Sequence, residues 1–286
     1  MYIYFIIFSL LYKSIAFNPY IYKTINPSLL RKSISEDLNN NFTKVSWVKA
    51  KEILHNELGN MDIYGDNLHS KNVEHIFPQV YYKDSNKKNI MKSDMHNLLL
   101  CSEKLNNYRQ HFKFIDPSYL QQMEKSDLSS FNIINSDSYK VNDINELITQ
   151  KHDVIMVNKK KKLFIPSVKS RGSISRSLAY FSTKYNFTQE LPNVIDINTM
   201  IKWNKDYPVD VDEYHKNIII YKYHNILNPF IIYPDLINYC FNDITSINIE
   251  DLYSNSDNMY TTNYLINQIK EKEYFIEKIL KAIKKI

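Results

Sequence analysis

Glycine is scarce in this chain, with only 3 in 286 residues, and cysteine and tryptophan stop at 2 each. Cys101 and Cys240 form one disulfide or none, and an isolated pair cannot hold a fold of this size together. Stability therefore has to come from a buried core. Neither cysteine belongs to a C-x-x-C motif, which argues against thiol redox chemistry. Beyond the first residues there is also no apolar run long enough to span a membrane, so a soluble product is expected. The shortage of glycine accompanies 23 Tyr and frequent Asn, Ile and Lys. That combination is the imprint of an AT-rich coding bias rather than of chemistry, and polar Asn/Lys stretches are read as loops or insertions.

What is present is ordinary for a globular protein: 44% hydrophobic and 23% charged residues, enough for one large core or two small ones. The net charge of +5 suits a polyanionic partner, because Lys and Arg that neutralise phosphates supply most non-specific nucleic-acid affinity. At the N-terminus, the apolar run Ile3 to Leu11 is followed by small residues at Ser14 and Ala16. This pattern reads as a signal peptide over residues 1–16, despite the missing positive charge before the run, with a buried strand as the alternative. The expected destination is the secretory pathway. Lys23, Arg31 and Lys32 precede the next acid, Glu36, so the alternative is an organelle reached through that route by a bipartite leader.

Residues 17–45 show no firm periodicity, and a first helix is expected over Trp47 to Leu58. Residues 72–82 read as a short strand stopped by Pro78, 95–100 as a second strand, and 102–111 as a helix with Ser102 as its cap. Residues 117–162 read as an insertion ending in the basic run Lys159 to Lys162, taken as a solvated loop. The second half is helical. Ile174, Leu178, Phe181 and Tyr185 form one stripe. Asp210 and Glu213 form a capping box before a second stripe, Val211, Tyr214, Ile218 and Tyr221. Leu265 through Ile283 form a third, within a helical extension over 237–286.

Chemistry concentrates in three segments: Asn72 to Pro78, Asp94 to Leu98, and Asn106 to Arg109. Phosphodiester hydrolysis needs a base for water and positive charge for the phosphate and leaving oxygen. A neutral imidazole serves as the first, and carboxylate and amide oxygens hold a hard ion such as Mg²⁺ for the second. Asn106 and Arg109 share a helix face, where Arg109 could grip a phosphate oxygen in bidentate fashion. Adjacent Glu74 and His75 would point to opposite faces of a regular strand. They serve one site only if the backbone bends or the site lies at the strand edge. A zinc alternative uses His69, His75, His96, Cys101 and His111, whose spacings match no usual zinc pattern.

The segments resemble the endonuclease I family of extracellular or periplasmic nucleases. Asn72 to Gln79 follows W-N-x-E-H-x-x-P-[QK], Ser93 to Leu98 follows S-D-L-H-[NH]-L, and Leu105 to Arg109 follows V-N-x-x-R. Downstream, Arg171 to Phe181, Trp203 to Val209 and Asn228 to Ile231 match further family segments in order. The resemblance implies an α+β fold in which a ββα-metal (His-Me finger) unit is packed among helices, in a nuclease domain over 60–236. It implies a metal-dependent, sequence-non-specific endonuclease acting on DNA, with RNA left open as a further substrate. It also implies His75 as general base and Mg²⁺ on Glu74 and Asn106, with Mn²⁺ or Ca²⁺ as substitutes. Arg109 would support the site or hold phosphate, His96 and Asn97 would brace the second strand, and Asn228 would lie near the site. Lys87, Lys88 and Lys92 occupy the interval of a missing phosphate-binding arginine. The tryptophan before the Glu-His motif is absent, His224 stands for a glutamine, and Leu227 for an arginine. The chain is expected to be a monomer, and the competing function is a non-catalytic nucleic-acid-binding protein that kept the fold.

Overall fold

A computed structural model describes residues 26–58, 71–134, 153 and 155–241. The signal peptide over 1–16, His69 and the helix through Ile283 lie outside the described residues. The chain divides into two units, residues 1–34 with 239–286, and residues 35–238. In the first, the Arg31 guanidinium donates to the Cys240 carbonyl and lies 5.6 Å from the Phe241 ring centroid. Two helices, Pro27–Asn41 and Leu236–Phe241, run across the division, and the rest of the description concerns the second unit.

Helix α1, Pro27–Asn41, arises where no periodicity is evident; Pro27 occupies its first turn, and the Asn26 amide oxygen accepts from Ser28 and Leu29. Helix α2, Trp47–Leu58, buries Ala50, Ile53, Leu54 and Leu58. Strand β1, Lys71–His75, pairs antiparallel with β2, Leu98–Ser102, with Glu74 opposite Leu99 and His75 opposite Leu98. Between them lies a short helix α3, Lys88–Lys92. Strand β1 is shorter than the expected 72–82 because the chain bends at Ile76 and Phe77. The Asn97 side chain bridges Phe77 there, accepting from its N–H at 2.7 Å and donating to its carbonyl at 3.2 Å. Residues Met95–Asn97, expected in a strand, form one 3₁₀ turn capped by Asp94. Helix α4, Glu103–Arg109, starts at Ser102, whose hydroxyl accepts from the Leu105 N–H. The fold is α+β, and β1, β2 and α4 form its ββα unit.

The span read as an insertion contributes to a second sheet. Strands β3 (Lys113–Phe114), β4 (Asn132–Ile133), β5 (Met156–Asn158) and β6 (Leu163–Ile165) run in the order β3-β6-β5-β4. Its strands are only two or three residues long, too short for alternation to show in the sequence. A short helix α5, Lys125–Leu128, precedes β4.

Helix α6, Val168–Tyr185, is buried on nearly every side, with Ile174, Leu178 and Phe181 fully enclosed. Around it stand α7 (Ile197–Asp206), α8 (Val211–His224) and α9 (Pro229–Ile232), with α10 (Leu236–Phe241) following. The downstream motifs lock onto one another. Arg176 donates to Glu213 at 2.8 and 2.5 Å, to Asn204 and to the Tyr207 carbonyl. Asp210 caps α8 by accepting from the Glu213 N–H, but Glu213 does not complete the expected capping box. Its carboxylate is turned to Arg176, a buried cation that would otherwise lack a counter-charge.

Gly172 sits where α6 meets that turn. A Cβ there would stand 2.3 Å from the Tyr207 carbonyl oxygen, a backbone atom with nowhere to go. Gly172→Ala is therefore expected to destabilise the protein by about 1–3 kcal/mol, the usual cost of overpacking. Urea unfolding of the two proteins checks this, and an unchanged midpoint would refute the close packing.

Candidate active site

The two-residue period of β1 sends its side chains to different partners. Val73, Leu98 and Leu100 pack with α2 in one core cluster, so His75, opposite Leu98, belongs to the α2 face. Glu74 lies on the other face, against Arg109 of α4. The two side chains therefore do not converge by direct contact, as a single shared ion would require. They border the same edge instead. The Ile76 N–H donates to the Asn97 carbonyl, which continues the ladder beyond His75. Alternation then turns the backbone groups of Val73 and His75 toward the edge of β1 that no strand covers among the described residues. The Asn106 side chain meets β1 there, its amide N–H 3.4 Å from the Val73 carbonyl.

His75 is held by both ring nitrogens. Its Nε2 donates to the Lys92 carbonyl at 2.9 Å, which makes Nδ1 the lone-pair nitrogen, 3.2 Å from the amide nitrogen of exposed Gln79. Burial pulls the imidazole down to about 4; the Lys92 carbonyl opposes this, and the Lys92 and Arg109 charges reinforce it. At neutral pH the ring is uncharged, with the Nδ1 lone pair accepting from the exposed Gln79 amide. Trp47 of α2 stacks beside it at 5.2 Å between centroids, and the Lys92 ammonium lies 5.0 Å from the indole centroid. No sequence motif points to Trp47, because its role depends on α2 folding back over the hairpin.

On the other face, Glu74 Oε1 lies 3.2 Å from Arg109 Nε, both side chains nearly enclosed, yet neither atom is aligned for a hydrogen bond. Burial pushes the Glu74 carboxyl up to about 7 against the pull of Arg109. Arg109 was expected to support the site or to hold phosphate, and its guanidinium is completely buried. It donates to the Ile76 carbonyl at 2.7 Å and the Gln110 carbonyl at 2.6 Å, and lies over the Phe114 ring. With its fork turned inward, it braces the strand end instead. The buried, unbonded Glu74 oxygen and the half-buried Asn106 amide are hard oxygen donors of the kind a small divalent cation takes alongside water. The zinc set is not gathered: among the described residues no three His, Cys, Asp or Glu side chains are placed to hold one ion. Both cysteines are buried and neither forms a disulfide.

The chain matches the Endonuclease I family over residues 35–235. It belongs to the endonuclease I family. No curated protein matches it. Membership makes the chain a nuclease and nucleic acid its substrate class. The matched span takes in α2, whose apolar face and Trp47 build one side of the hairpin.

The remaining candidates sit around this centre. His96 is buried, with Nε2 donating to the Ile226 carbonyl and its ring against Tyr180. Asn228 is drawn to Asn217, Phe230 and the Arg176 carbonyl, and contacts none of Glu74, His75 or Asn106. Lys87 and Lys88 are exposed at the start of α3, and Lys92 is half-buried beside Trp47. His224, in place of the family's glutamine, accepts from the Met95 N–H at 3.0 Å and bonds the Thr43 carbonyl at 2.9 Å through Nδ1. A neutral imidazole offers one donor and one acceptor, so His224 satisfies both partners at once. No helix among the described residues is long and apolar enough to cross a membrane.

Beneath the second strand, Asp94 is a fully buried carboxylate accepting from Lys184 at 2.8 Å, Tyr185 at 2.8 Å and Tyr180 at 2.9 Å. Burial alone would raise its pKa, but Lys184, His224 and His96 hold it well below the ordinary carboxylate range. A depressed folded-state pKa gives stability that is present above the unfolded value of about 4 and is lost as pH falls below it. Asp94→Asn leaves the Lys184 charge buried without its partner and is expected to cost about 3–5 kcal/mol. Urea unfolding at pH 7 measures the loss, and the variant's stability should fall less steeply from pH 5 to 3. A variant as stable as the parent would contradict the buried pair.

Proposed function

We propose that the chain is a Mg²⁺-dependent endonuclease that cuts DNA without sequence preference, with RNA as the alternative substrate, working across the open edge of β1. The observation that carries this reading is the Glu74 oxygen. It is buried and makes no hydrogen bond, only the ion pair with Arg109, while the Asn106 amide meets β1 at the adjoining Val73 carbonyl and a neutral, oriented His75 borders the same edge. Glu74 and Asn106 would hold the ion, which when bound supplies positive charge to the phosphate and the departing oxygen. His75 takes the proton from water at Nδ1, because the Lys92 carbonyl occupies Nε2–H and fixes the tautomer. Arg109 holds the end of β1 in register and places a positive charge near both Glu74 and His75. The exposed ammonium groups of Lys87 and Lys88, with Lys92 next to His75, meet the nucleic-acid backbone. Contacts of that kind carry no base information, which is why cleavage is non-specific. The reading includes a monomeric protein entering the secretory route through residues 1–16.

Plasmid DNA incubated with the protein should be degraded in Mg²⁺, and EDTA should stop the reaction. His75→Ala is expected to lower kcat about 10²- to 10⁴-fold, the range general-base catalysis contributes. Full activity in that variant would remove His75 as the base. Tight DNA binding with no cleavage by the parent in Mg²⁺, Mn²⁺ or Ca²⁺ would favour a binding protein that kept only the fold.

A further inference from the structure

The basic run Lys159 to Lys162 forms the turn between β5 and β6, and this turn is fixed. The Asn158 side chain is fully buried; its oxygen accepts from the Lys161 N–H at 2.9 Å, and its nitrogen donates to Ser130 at 2.6 Å and to the Asp127 carbonyl. Lys162 closes the turn in a left-handed conformation, φ 56°, and its carbonyl accepts from the Lys113 N–H at 2.9 Å. An ordinary solvated turn favours asparagine or glycine at such a position rather than lysine.

The charges on this turn are divided. Lys161 faces the acids of the neighbouring segment, with its ammonium 2.9 Å from Asp127 and within reach of Glu124. Lys159, Lys160 and Lys162 are exposed and form no ion pair among the described residues. Lys159 points to the catalytic unit, its ammonium 4.9 Å from the centroid of Tyr108 on α4. Lys104, also exposed, lies four residues before Tyr108 and shares its helix face, with Glu103 as the exposed acid next to it. Tyr108 is two residues from Asn106, so these ammonium groups stand beside the helix that supplies the proposed ion ligand.

We propose that the β5–β6 turn is a second phosphate-backbone contact, in which Lys159, Lys160 and Lys162, with Lys104 beside them, hold nucleic acid that extends past the catalytic edge. The proposal rests on the nuclease reading for the substrate class, but binding tests it separately from cleavage. Because each phosphate neutralised on a duplex contributes about −0.9 to the slope of log K against log salt concentration, the contact is countable.

Fluorescence anisotropy of a 20-base-pair DNA duplex is measured in EDTA over a range of NaCl concentrations, for the full chain, K159Q/K160Q/K162Q and K161Q. The triple variant should bind about tenfold more weakly at low salt, with a slope shallower by about 2 to 3. K161Q, whose ammonium is committed to Asp127, should track the parent. Thermal melting of the triple variant at the parent's temperature shows that its fold is intact. A triple variant with the parent's affinity and slope would overturn the proposal, as would K161Q weakening binding equally, since that would make the effect one of net charge alone. Hydrolysis of bis(4-nitrophenyl) phosphate by the parent tests the nuclease reading apart from this site. Its absence, with the slope difference retained, would remove the enzyme and leave the contact.

Discussion

The alternation of side chains along β1 is the constraint on which the site depends. Two chemical residues stand next to each other, so one faces α4 and the other α2. Each face is then built by a different part of the chain. The α4 face supplies Asn106 and Arg109 from the segment that follows β2. The α2 face supplies Trp47 from before the hairpin and a carbonyl of Lys92 from within the connection. The uncovered edge of the two-stranded sheet is where the two halves adjoin, and the bend pinned by Asn97 ends the strand there.

Electrostatics follow from the same arrangement. Enclosure raises the Glu74 carboxyl and lowers the His75 imidazole, and Arg109 acts on both. Arg109 cannot leave its place without abandoning two carbonyls and a buried carboxylate, so it serves as a strut. In the proposed function, gripping substrate falls to exposed lysines, which keep their ammonium groups in water until a phosphate arrives.

The sequence made the ββα unit legible because its residues carry chemistry at short range: Glu74, His75, Asn106 and Arg109 fall within about ten residues of a strand or a helix cap. Helices α2 and α6 were legible from their apolar stripes, whereas of the stripe expected on α8 only Ile218 is buried and Val211 is exposed, because that helix packs through Glu213, Asn217 and Ile220. Strands β3 to β6 were not, since two or three residues cannot display a period, and β3 pairs with β6 across some fifty intervening residues. Helix α1 was missed although Asn26-Pro27 is a helix-start signal, because its buried positions, Leu30, Ile34 and Leu38, are diluted by polar neighbours. Trp47 and Lys184 could not be assigned from sequence, because each acts on a partner far along the chain, His75 and Asp94 respectively.

The central claim is that one divalent ion is held by Glu74 and Asn106 while His75 stays outside its coordination sphere. Electron paramagnetic resonance of Mn²⁺ bound to the full chain tests it most directly. The account predicts stoichiometric binding that survives His75→Ala, is lost in Glu74→Ala, and shows no coordinated imidazole nitrogen. Binding lost with His75→Ala and kept with Glu74→Ala, or a directly coordinated imidazole, would contradict it.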